Sequence, residues 1–123
     1  MYPKAKVLTA ARLAAQKQAE NPVVLMLKKI SSVCDYILIC GASSERQVHA
    51  IALNIEEGLK ARGERPLGTE GIKQGRWALL DYGDIIVHVF IDSLRSYYDI
   101  EGLWADAEVV ELKPAKTKAL KKA

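Results

Sequence analysis

Little in this 123-residue sequence suits it to several common ways in which a small protein works. Cys34 and Cys40 are its only cysteines, too few for a disulfide scaffold and at home as reduced thiols. No apolar run approaches the roughly 20 residues of a membrane helix. The start, Met1-Tyr2-Pro3-Lys4-Ala5-Lys6, leads into an amphipathic segment rather than the apolar block of a signal peptide, so a cytoplasmic location is expected. Neither phosphate-binding pattern, Gly-x-x-x-x-Gly-Lys-Ser/Thr or Gly-x-Gly-x-x-Gly, occurs. Basic residues are also scarce where they would matter: between Trp77 and Glu111, Arg95 alone stands against eight acids. The formal charge of +3 hides this, because five lysines and no acid fall in 113–123. The other 112 residues carry 13 basic and 15 acidic side chains, a net of −2. Such a chain is a poor candidate for gripping nucleic-acid phosphates through its acidic half. It suits a basic partner surface, or simply carries a solvated acidic face.

What is present reads as one domain over residues 1–112, followed by a basic tail, 113–123, expected to be disordered. Residues 5–20 are helix formers, with Val7, Ala10, Ala11 and Ala14 as a thin apolar stripe that predicts light packing; Asn21-Pro22 stops the helix. Val23–Leu27 and Asp35–Cys40 are short apolar runs, read as buried strands. A second helix is expected from the Ser43-Ser44-Glu45 start to about Arg62, ended by Gly63. Val48, Ile51, Ala52, Ile55 and Leu59 give it a core-facing stripe, while Leu53 projects from the other side. Residues 65–70 predict a third strand, and 70–75 its turn into the next.

The chain is organised around Arg76–Ile91. Trp77–Leu80 and Ile85–Ile91 flank Asp81-Tyr82-Gly83-Asp84, which predicts a hairpin at the centre of the sheet. Alternation separates Trp77, Leu79 and Asp81 from Ala78, Leu80 and Tyr82. A face carrying a tryptophan and a carboxylate is an unusual lining for a sealed core, so part of this hairpin is expected to be a working surface. A capped helical stretch at 92–99 and an apolar strip, Ile100–Ala107, complete the order α-β-β-α-β-β-β-α. The fold class is α/β, a mixed sheet of about five strands flanked by helices.

Catalytic chemistry fares poorly on these residues. Nucleotidyl transfer needs two or three carboxylates around magnesium, whereas the strand after the second helix supplies only Glu70, and Asp81 and Asp84 straddle a turn. Zinc would have to draw on Cys34, Cys40, His49 and His88, which lack any paired spacing. Cys40 reads as a small buried hydrophobe and His88, alternating with Ile86 and Phe90, as a hydrogen-bonded structural histidine. No cofactor or metal is expected, and an enzyme is the weaker class.

Three collinear motifs point to a family. Cys34–Cys40 with Ser44–Val48 and Ala50–Ala52, then Glu70-Gly71 with Gly75–Phe90, and finally Tyr97–Ala107 together resemble the Iojap-type ribosomal silencing factors. The match spans about residues 23–107, with Gly41-Ala42 standing where that family places Thr-Gly. The resemblance implies a degenerate nucleotidyltransferase-like fold without catalytic carboxylates and a homodimer. It further implies a translational repressor that binds large-subunit ribosomal protein fourteen and blocks joining of the small subunit when nutrients are scarce. Carried over residue by residue, the contact candidates are Trp77, Asp81, Tyr82, Asp84, Tyr98, Leu103 and Trp104, with Arg76 added for a hydrogen bond. The lysine tail, outside the resemblance, could attract ribosomal RNA. The rival readings are a nucleotide-binding or nucleotidyltransferase-like enzyme and a direct ribosomal RNA-binding module.

Overall fold

The computed structural model describes residues 1–112; the segment expected to form the basic tail, 113–123, lies outside the described residues. The elements are α1 (Pro3–Ala15), β1 (Glu20–Met26), β2 (Tyr36–Ala42), α2 (Glu45–Lys60), β3 (Gly68–Glu70), β4 (Trp77–Asp81), β5 (Ile85–Ile91), α3 (Asp92–Tyr98), α4 (Ile100–Leu103) and β6 (Glu108–Val110). The six strands form one mixed sheet in the order β3-β4-β5-β2-β1-β6. Only the central β2–β5 pair is parallel, and its register runs from Tyr36↔Ile85 to Ala42↔Ile91.

The local chemistry of α2 explains its limits. Ser44 is the N-cap, its side chain accepting the Gln47 amide at 3.1 Å, and Glu45 occupies the first turn. At the other end Gly63 adopts φ +85°, and the Glu64 amide reaches back to the Leu59 carbonyl. Val48, Ile51, Ala52, Ile55 and Leu59 are all fully buried. Burying each of the four larger ones, Val48, Ile51, Ile55 and Leu59, contributes about 1.5–3 kcal/mol. Leu53, the outward leucine of the sequence, is half-buried.

The first helix departs from expectation. It ends at Ala15, and it is not lightly packed: Val7, Ala10, Ala11, Leu13 and Ala14 all join the main core. Small side chains on its stripe permit close approach rather than weak contact. Gly58 of α2 receives Leu13 so closely that a Cβ there would stand 2.5 Å from Leu13 Cδ2. Helices α1 and α2 thus cover one sheet face, formed by Val24, Tyr36, Leu38, Cys40, Ala78, Leu80, Tyr82, Ile85, Val87 and Val89.

The opposite face is only partly covered. Leu25, Leu27, Cys34, Ile37, Ile39 and Phe90 form a second cluster, against which Trp77, Ile86, Leu94, Ile100, Trp104 and Ala107 pack. The covering comes from the α3–α4 corner. Asp92 sits in the first turn of α3 rather than capping it, the N-cap being Ile91. Asp99, in the left-handed region at φ 45°, ends α3 and caps α4 by accepting the Gly102 amide at 3.1 Å. The chain then returns as β6, a strand the sequence did not announce, pairing antiparallel with β1 from Val24↔Val110 to Met26↔Glu108.

Candidate functional site

Strand β4 presents Trp77, Leu79 and Asp81 to the partly covered face and buries Ala78 and Leu80 under the helices, as strand alternation requires. Pairing with β5 brings Trp77 opposite Phe90, Leu79 opposite His88 and Asp81 opposite Ile86. The Trp77 ring stacks on fully buried Phe90 with centroids 4.8 Å apart. Tyr98 of α3 closes on Trp77 at 4.7 Å and stands 6.3 Å from Phe90, so the three rings form one cluster, and Tyr97 meets Tyr98 edge-on at 5.1 Å. Trp77 is half-buried, whereas Tyr98 is 47% and Leu103 70% exposed. The result is an aromatic ledge with a packed floor: Phe90 and Trp77 below and Tyr98 outward, with exposed Leu103 following on α4. Leu79 and Ile86, half-buried on the same face, extend it along the sheet. Neither is among the eight contact candidates, although alternation already sets Leu79 beside Trp77, and the same spacing from Phe90 could have found Ile86.

Polar groups around the ledge are specific. Trp77 Nε1 donates to His88 Nδ1 at 3.1 Å. Burial pushes the His88 pKa down to about 4, so the imidazole is neutral at pH 7 and free to accept. Asp81 accepts the Gly83 amide at 2.8 Å, fixing the hairpin turn with one oxygen. Glu70 on β3 pairs with Leu79 and adds an exposed carboxylate at that edge. Arg95 donates to Glu101 at 2.8 Å and to the Glu20 carbonyl at 3.1 Å. The one base between Trp77 and Glu111 is therefore engaged internally, and among the described residues only Asp84 and Glu101 of the eight acids there have an ion-pair partner. Beside it, a cleft of about 470 Å³ is lined by Glu20, Asp92, Arg95, Asp99 and Glu101. A hydrogen bond with Asp92 raises the Glu20 pKa. The residues lining that cleft are all polar or charged, unlike those of the mostly apolar pockets that hold small molecules.

The eight contact candidates do not share one surface. Trp77, Asp81, Tyr98, Leu103 and Trp104 belong to the β4–β5 face and the α3–α4 corner, Trp104 packing partly into the second cluster. Tyr82 lies on the other side of the sheet, 6% exposed within the main core. Asp84 turns to the helical layer, where Lys6 Nζ holds it at 2.9 Å. Arg76, exposed, points its guanidinium toward Glu45 at 3.7 Å. The carboxylates framing Trp77 are accordingly Asp81 and Glu70, not Asp84. Cys34 and Cys40 are buried, with thiol pKa values pushed up by that burial to about 11 and about 12. Among the described residues no group of three or more His, Cys, Asp or Glu could hold a metal ion, and no helix is long and apolar enough to cross a membrane.

Fold and surface define a mixed-sheet α/β domain with an aromatic ledge on its less covered face. The chain belongs to the family described as ribosomal silencing factor during starvation, whose model matches residues 2–123. It is 46% identical over 96 residues to ribosomal silencing factor RsfS of Halalkalibacterium halodurans, covering 78% of this chain and 82% of that one. It is 41% identical over 112 residues to the protein of the same name from Bacillus subtilis, covering 91% and 95%. A crystal structure of a Chromobacterium violaceum protein superposes with a TM-score of 0.83 at 32% identity, covering 93% of this chain and 91% of that one.

Proposed function

We propose that this protein silences ribosomes by occupying the large subunit, without chemical turnover. Its partner there is large-subunit ribosomal protein fourteen, and its bulk excludes the small subunit and lowers protein synthesis when nutrients are scarce. Family membership supports the silencing role; the observation that favours this ledge as the contact is outward Tyr98 packed on the Trp77–Phe90 floor, followed in the chain by exposed Leu103 on α4. Aromatic and aliphatic anchors held by such a floor dominate protein interfaces, because little side-chain freedom is lost on docking. Asp81 and Glu70, with the unneutralised acids of the C-terminal half, complement a basic protein surface and speed its approach. Binding therefore weakens as salt rises. Tyr82, Asp84 and Arg76 serve the fold on the other side, and Trp104 anchors the corner that carries Leu103.

The protein acts in the cytoplasm as a homodimer, and the lysines of 113–123 add weak, salt-sensitive attraction to neighbouring ribosomal RNA. The decisive experiment is sedimentation of purified protein with separated subunits. It travels with large subunits, and small subunits compete for them. Leu103→Asp and Tyr98→Ala, both at exposed positions, each abolish that association while leaving the melting temperature within a few degrees. Unchanged co-sedimentation of both variants removes the ledge from the interface.

A further inference from the structure

The indole N–H of Trp77 is a donor with no acceptor function of its own, so the group facing it at 3.1 Å must accept. That group is Nδ1 of His88, one strand away on β5 and diagonal to Trp77 across the pair Leu79↔His88. The bond can exist only with an unprotonated Nδ1, which places the ring proton on Nε2. Three rings hold Trp77 on its flanks: Phe90 at 4.8 Å, Tyr98 at 4.7 Å and His88 itself at 5.9 Å. Stacking fixes the plane of the indole but tolerates sliding and a flip of the ring within that plane. Only a directional bond at its nitrogen decides which edge turns inward. His88 is itself immobile, 7% exposed and parallel to Phe90 within 9°.

We propose that His88 is a positioning residue: by accepting the Trp77 indole N–H it selects the one pose of that ring on which the outer ledge, Tyr98 above all, is built. This rests on the docking function proposed for the ledge. The imidazole touches no partner; its effect passes through Trp77 to Tyr98. A histidine serves better than an aliphatic residue here because it fills the strand face and still offers an acceptor at the right height. Asparagine offers Oδ1 at nearly the position of Nδ1, and leucine fills the space without any acceptor.

The test combines nitrogen NMR with sedimentation. In labelled wild-type protein the His88 ring carries its proton on Nε2, and the Trp77 indole N–H is shifted and slow to exchange. His88→Leu returns that resonance toward its free position, speeds its exchange about fivefold or more, and weakens association with large subunits about three- to tenfold. His88→Asn restores both. An Nδ1–H tautomer in the wild type, an unmoved indole resonance in His88→Leu, an asparagine variant as impaired as the leucine one, or full large-subunit binding by His88→Leu would each overturn the proposal. Should His88→Leu fail to fold, the wild-type tautomer and the asparagine variant decide. Should the wild type itself ignore large subunits, the docking function fails, while tautomer and indole exchange still decide whether His88 poses Trp77.

Discussion

Lys6 of α1 and Asp84 of the β4–β5 turn are joined by a two-pronged ion pair, Nζ standing 2.9 Å from Oδ1 and 3.0 Å from Oδ2. The same ammonium reaches Glu64 at 2.9 Å, although the lysine side chain is only 7% exposed. Burial opposes its charge, but Glu64 and Asp84 together outweigh burial and raise its pKa. One cation thus ties the first helix to the far end of the hairpin and to the segment after α2.

Replacing Lys6 by methionine keeps the stem and removes the charge. Asp84 and Glu64 remain partly in water, which limits the penalty. A loss of about 1–2 kcal/mol in urea unfolding is expected, with association with large subunits unaffected. Lost association in a folded Lys6→Met protein would bring Asp84 back into the interface.

Tyr82 carries a hydroxyl that is buried without a hydrogen-bond partner, and burial raises its pKa. Leaving such a group dry costs free energy, so Tyr82→Phe is expected to be neutral or stabilising by about 1 kcal/mol. Tyr82→Ala, which empties the ring volume beneath Lys6, is expected to lose about 3–5 kcal/mol. Thermal or urea melts separate the two, and subunit association of the phenylalanine variant should equal wild type.

His88 makes stability depend on pH. Its folded pKa, about 4, lies below the ordinary 6.5, so the unfolded chain binds the proton more readily between those values. The contribution is complete above about pH 6.5 and is lost as pH falls toward 4. Its size is about 3 kcal/mol across that window. His88→Asn, which does not titrate, should show a flatter fall in urea midpoint from pH 7 to 4.5; an unchanged slope would place the acid sensitivity in other groups.

Two glycines separate backbone strain from crowding. Gly63 has φ +85° with open space where a Cβ would go, so Gly63→Ala costs about 1 kcal/mol of strain alone. Gly71 has φ +75°, and a Cβ there would lie 2.0 Å from the Trp77 carbonyl oxygen. Gly71→Ala must therefore shift the start of β4, at about 3 kcal/mol or more. A calorimetric comparison of the two variants tests the difference, and Trp77 fluorescence should change only in the second.

Much of this was legible in the chain, where the signals are local. The α2 stripe, its Ser44 and Gly63 ends and the hairpin all follow from spacing, capping and turn chemistry. His88 as a hydrogen-bonded structural histidine was legible too, though nothing in the sequence names Trp77 as its donor. Alternation had also set Tyr82 apart from Trp77, yet carrying over the motif as one block put both on a single surface. What escaped depends on distant partners. Helix α1 ends early where Gln47, on α2, binds the Lys17 and Gln18 carbonyls with its amide. Strand β1 starts early because Asn21, at φ 45°, bulges the pairing between Glu20 and Val23. Strand β6 spans three residues that pair with the edge of β1, with Val110 packing on the main core, neither of which a local pattern announces. The depth of α1 does not show in the size of its alanines, because what buries it is how close such small side chains let a neighbour come.

The parallel seam at the middle of the sheet bears on how the protein is made. Leu38 and Val87, paired across it, are about fifty residues apart in the chain. Strand β2, all seven of its residues destined for burial, leaves the ribosome well before β5 can follow it. Until residue 91 leaves the exit tunnel, that strand has an unclaimed edge and an unclosed apolar face, the state in which nascent chains stick to one another or recruit chaperones. A protein that restrains synthesis is thus itself most vulnerable during its own synthesis, in the interval between its fortieth and ninetieth residues.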